Sequence, residues 1–259
     1  MSGYVLFQMW EPFRQSLMKG HLFYIEQARK RLLSQFDDIE AEADRAADEW
    51  LEQRSQYFDP DRHDPADLYE SANEAGIEFY GLLSDMHEQT RLSVVAGMFH
   101  EWDKQLRDWL AHEIRHWHAG DNTRSKVWSV DFGQIADLLE SLGWNVRSKD
   151  YFRMLDMCRL AVNVYKHGDG KSLDELKNNY PEYLGDPLAG SGGFSDPKYR
   201  NHTHLKVNDE QFQAFSDAIL AFWRDVPENV LDSEVDNVPQ WFENAILKDR
   251  ANSQKTSKT

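Results

Sequence analysis

From Phe13 to Tyr57 the chain has no proline and a single glycine, Gly20, while Leu17, His21, Tyr24, Ile25, Ala28, Leu32, Phe36 and Ile39 recur at short, mostly three- and four-residue steps. That spacing returns to one face of a helix. With no breaker inside it, the stretch predicts one amphipathic helix or two nearly continuous ones. Asp37 to Glu52 is richer in Asp, Glu and Ala, so its helix should be a solvated arm packing on a thin stripe. The run Phe58-Asp59-Pro60-Asp61-Arg62-His63-Asp64-Pro65 stops the pattern. Asp64 reads as an N-cap, with Pro65 at the first helical position. A second long helix follows to about His118, with Gly76 and Gly81 as points where it can break. Its strongest apolar stripe is Val95, Met98, Phe99, Trp102, Leu106, Trp109 and Leu110.

Shorter helical patterns run from Asp131 to Leu142, Ser148 to Lys166, Ser172 to Leu184, Asn208 to Val226 and Val238 to Asp249. Val127 to Val130 and His204 to Val207 are the two extended candidates. Gly185 to His202 is the longest loop, with Gly190-Ser191-Gly192-Gly193 as a flexible connector. The expected fold is an all-α helical bundle with two long N-terminal helices and little or no sheet. Residues 1–64 form a long N-terminal helix or arm, 65–250 the bundle, and 251–259 a disordered polar tail.

Aromatic residues make up 13% of the chain, which a disordered acidic chain would lack. The 45 Asp and Glu against 29 Lys and Arg give a net charge of −16. That excludes a protein that coats nucleic acid generally, and leaves room only for a local basic site. Cys158 is the only cysteine, so neither an internal disulfide nor a four-cysteine zinc site can form. The N-terminus has no basic segment and no cleavage site, and no apolar run reaches membrane-spanning length. The expectation is a cytoplasmic protein with no membrane partner.

Three motifs resemble chemistry. His112-Glu113-Ile114-Arg115-His116 has the zinc-hydrolase spacing, two histidines one turn apart with a glutamate between. The extended form would need a glycine and a third histidine where Ala119 and Asn122 stand. Glu140 is a distant alternative ligand, and a zinc hydrolase is the least favoured reading. Gly168-Asp169-Gly170-Lys171-Ser172 ends like a phosphate-binding loop, but Tyr165 stands where its first glycine is needed and a helix precedes it. Gly168 and Gly170 read instead as helix-end glycines, and Ser172 with Glu175 as a capping box. The third motif lies on the helix ending at His167. Asp156, Arg159, Asn163, Lys166 and His167 share a sector of roughly 100° on an otherwise apolar helix. Such a seam needs partners, a cleft or a second subunit.

This helix, with Arg159, Asn163 and the ending Lys166-His167-Gly168, resembles the last core helix of HEPN-domain proteins, whose pattern is Arg, four to six residues, then His, commonly with Asn four residues before the His. Asn163 and His167 keep that spacing. Seven residues separate Arg159 from His167, and Val162 stands where the family often has Arg. Tyr165 to Leu173, followed by Pro181-Glu182-Tyr183-Leu184, also resembles a group of uncharacterised bacterial proteins. The HEPN resemblance implies a dimeric, metal-independent endoribonuclease of a toxin–antitoxin or antiviral defence system, needing no cofactor. His167 would be its general acid or base. Arg159 or Lys166 would stabilise phosphate charge. Asn163 would orient His167 or bind a phosphate oxygen, and Lys166 and Lys171 would bind substrate RNA. The family also has inactive members, so a non-catalytic interaction protein, as homodimer or with a protein partner, is the alternative. Arg159, Asn163 and Asp156 equally fit an internal ion-pair seam. His167 equally fits a helix end, where a cation complements the dipole. The charge is locally basic here: Arg147, Lys149, Arg153, Arg159, Lys166, His167 and Lys171 against Asp150, Asp156 and Asp169.

Overall fold

The computed structural model describes residues 3–188 and 195–256, so the run Gly190 to Gly193 lies outside the described residues. The chain is all-α. Its helices are α1 (Glu11–Arg31), α2 (Ile39–Ser55), α3 (Pro65–Trp117), α4 (Asp121–Ser129), α5 (Phe132–Ser141), α6 (Asp150–His167), α7 (Lys171–Asn179), α8 (Asp209–Asp225) and α9 (Gln240–Thr256). Strands β1 (Val5–Gln8) and β2 (Asn229–Leu231) make one antiparallel pair, with Val5 opposite Leu231 and Gln8 opposite Asn229. Contacts divide the chain into two compact units, Met1–Phe23 with Ala96–Thr259, and Tyr24–Val95.

In the unit Tyr24–Val95, α2 buries only Ala43, the thin stripe its composition predicts. The expected break of α3 at Gly76 or Gly81 does not occur; α3 is continuous over 53 residues. A Cβ at Gly76 would stand 3.0 Å from Ala47 Cβ and 3.1 Å from the Ala43 carbonyl oxygen. Gly76 therefore serves close helix packing, which repays its poor helix propensity. The start of α3 is as expected: Asp64 Oδ1 accepts from the Ala66 N–H at 2.8 Å, ahead of the fixed φ of Pro65. Phe36 stacks on His87 at 4.9 Å, and Arg91 donates to His87 Nε2 at 2.9 Å.

The larger unit has an aromatic core. Trp102 meets Phe222 edge-on at 5.1 Å and Phe132 at 5.4 Å. Phe212, Phe215, Ile219 and Phe222 all face inward from α8, and α6 packs along it. Two helix starts are fixed by full capping boxes, Asp131 with Gln134 and Asn208 with Gln211. Gly143 and Gly168 adopt φ of 80° and 72°, the left-handed region a helix end requires.

Four local expectations are corrected. Val127 to Val130 is not extended, because α4 runs through Ser129. The buried Arg107 caps its end, donating to the carbonyls of Val127 at 2.6 Å and Val130 at 2.9 Å. His204 to Val207 forms no strand; Leu205 makes an isolated bridge to Leu184. Gly170, not Ser172, occupies the N-cap of α7, and Ser172 sits inside the helix. α9 continues to Thr256, beyond the expected stop at Asp249.

Candidate functional site

α6 begins after extended Lys149 and ends where the Gly168 N–H bonds the Val164 carbonyl at 2.9 Å. Asp150 in its first turn and Lys166 and His167 in its last complement the helix dipole. Leu155, Met157, Cys158, Leu160, Ala161, Val162 and Val164 are buried, which leaves the polar strip as the accessible face.

Along that strip the environment changes. At the half-buried end, the Arg159 guanidinium lies 2.7 Å from Asp156 Oδ1 and 3.4 Å from Glu175 Oε2 of α7. Two carboxylates neutralise it, as the ion-pair alternative expects. Lys171 points into solvent, 3.8 Å from the other oxygen of Glu175. The half-buried Asn163 amide has no hydrogen-bond partner among the described residues. At the far end, Lys166 and His167 are exposed and carry no carboxylate partner among the described residues. Burial, and then the charge of Lys166, hold the imidazole of His100 on α3 below its ordinary pKa.

Asp169, two residues past His167, holds His202. Its Oδ1 accepts from both the backbone N–H and the ring Nδ1 of His202, each at 2.9 Å. Those two bonds, the backbone one foremost, hold the exposed Asp169 carboxyl below the usual range. The ring lies against Gly168, where a Cβ would come 3.7 Å from it. With Nδ1 bonded to Asp169, the ring is held in one orientation. Sequence reasoning missed His202, since it closes a loop and has no periodicity to mark it. The only local signal is the capped turn Asn201-His202-Thr203-His204, in which Asn201 accepts from the Thr203 N–H.

The local basic charge is largely cancelled by other helices. Arg147 pairs with Asp137 and Glu140, each at 2.6 Å, and Lys149 with Asp225 at 3.1 Å. Arg153 lies over the Tyr180 ring at 5.6 Å. The site therefore contracts to the C-terminal end of α6: Asn163, Lys166, His167 and the Asp169–His202 pair.

The glutamate of the zinc-like motif is spent on structure. Glu113 is buried and accepts the Gln8 N–H at 2.8 Å, which fixes β1. The rings of His112 and His116 meet edge-on at 4.7 Å, and Glu140 is held by Arg147. Among the described residues no group of three His, Cys, Asp or Glu side chains is placed to hold a metal ion. Nor is any helix long and apolar enough to cross a membrane. Compared with known proteins, the chain matches no family model, no curated relative and no solved structure.

Proposed function

We propose that the chain is a HEPN-like, metal-independent endoribonuclease whose chemistry is done at the C-terminal end of α6. One observation carries the reading: an oriented histidine, His202 on Asp169, stands beside Gly168 at the end of the helix that presents exposed His167 and Lys166. Cleavage by a ribose 2′-OH needs a base to take its proton, an acid to protonate the leaving 5′-oxygen, and a cation on the phosphate. Two imidazoles and one ammonium are that set. Arg159, committed to Asp156 and Glu175, positions the strip and does not touch substrate. The protein would act in a toxin–antitoxin or antiviral role, as a dimer in the cytoplasm.

The test is RNA integrity after incubation with purified protein in EDTA. Wild type cleaves; His167→Ala and His202→Ala each fall by about a hundredfold or more, the usual worth of a general acid or base. Intact RNA with folded wild-type protein defeats the reading. A second reading, a non-catalytic interaction protein, has its own support. Leu82 and Met86, one turn apart on one face of α3, are each more than half exposed, a pair of apolar side chains of the kind that takes a protein partner. Full biological effect in a folded His167→Ala, His202→Ala variant would decide for it.

A further inference from the structure

The segment that looked like a zinc motif opens onto a cleft of about 460 Å³, between the last turns of α3 and the first turn of α4. That volume suits a small molecule. Arg115 and Arg124 line it from the two helices, and neither has a carboxylate partner among the described residues. In a chain of net charge −16, two unpaired arginines facing one cleft are a forked donor set for an oxyanion. Asp108 and Asp121 line the same cleft, also without cation partners among the described residues. Ionised carboxylates only accept hydrogen bonds, so they select a ligand that also carries donors. Among the described residues His112 and His118 are the only rings in the lining, and His118 is bonded to Asp249 at 3.2 Å. Among the described residues no Phe, Tyr or Trp lines the cleft to stack a nucleobase.

The floor is rigid. Asp249 binds the N–H groups of Asn122 and Thr123, each at 2.9 Å, so the connection between α3 and α4 is fixed before any ligand arrives. From these residues we infer that the cleft binds a small sugar phosphate: Arg115 and Arg124 hold the phosphate monoester, and Asp108 and Asp121 accept from sugar hydroxyls. This site is separate from the end of α6 and does not depend on the ribonuclease reading.

Calorimetric titration of the full chain with ribose 5-phosphate, inorganic phosphate and ribose tests this at low salt. Ribose 5-phosphate should bind more tightly than phosphate, and ribose should not bind. Arg115→Ala with Arg124→Ala should weaken ribose 5-phosphate by at least about tenfold. Both side chains are exposed, and an unchanged melting temperature without ligand shows the variant folded. Asp108→Asn should narrow the gap between ribose 5-phosphate and phosphate. No binding of ribose 5-phosphate by wild type, equal binding of phosphate, or unchanged affinity in the folded double variant overturns the assignment.

Discussion

Asp249 on α9 accepts a 2.6 Å hydrogen bond from the hydroxyl of Thr123 on α4, 126 residues earlier in the chain. The same carboxylate takes the backbone N–H groups of Asn122 and Thr123, the Asn122 amide and the His118 ring. It thus adds, from a distant helix, to the negative charge that Asp121 places at the start of α4. Burial alone would raise its pKa, but the bonds from Thr123 and Asn122 outweigh that and hold the carboxyl well below the usual range.

Asp249→Ala should therefore destabilise the fold by roughly 3 kcal/mol, since it strands buried donors. Gly120→Ala should do similar damage, because a Cβ there would collide with the Asp249 carboxylate. Urea midpoints measure both. A loss under about 0.5 kcal/mol in Asp249→Ala would show that water replaces the carboxylate without cost.

His21 gives the fold a pH dependence of its own. It is buried, bonded through Nε2 to Ser216 Oγ at 2.8 Å, and burial pushes its pKa down to about 4. The folded state holds it neutral, so the unfolded chain binds the extra proton below its ordinary pKa of 6.5. Its contribution is complete above that value and is lost as pH falls toward about 4, on the order of 3 kcal/mol in all. Unfolding followed across this window should show a steeper slope in wild type than in His21→Gln. Equal slopes would assign the pH dependence to other groups.

Arg159→Ala separates positioning from catalysis. The pair with Asp156 and Glu175 is partly solvated, so its loss should cost about 1 kcal/mol. Under the proposed reaction, Arg159→Ala should lower kcat far less than His167→Ala, and Arg159→Lys should restore most of the stability. A kcat loss equal to that of His167→Ala, with stability unchanged, would place Arg159 on the substrate.

Cys158 should be inert in the native protein. It is fully buried, and burial pushes its thiol well above the ordinary range. An aromatic disulfide reagent should label it at the unfolding rate, in step with loss of structure. Rapid labelling of folded protein would show that α6 opens locally.

Much of the fold is legible in the residues themselves. Apolar spacing from Leu17 to Ile39, the Asp64-Pro65 start and the glycines at 143 and 168 each specify local geometry, and local geometry needs only near neighbours. β1 was not legible, because its pairing with β2 joins the two ends of the chain. The glycine at 76 was misleading for the same reason: its role depends on Ala43 and Ala47 of another helix.

The sequence by itself determined a helical chain with a polar strip on α6. The tertiary structure decided what that strip is. Glu175 neutralises Arg159, Asp137 and Glu140 neutralise Arg147, and Asp225 takes Lys149, so a segment that reads as basic is mostly paired. Asp169 acquires His202 from 33 residues away, and the strip gains an oriented imidazole that no local pattern announces. Helical period is written in neighbours a few residues apart. Charge pairing depends on which helices the packing of the core brings together, and that is settled only when the chain folds.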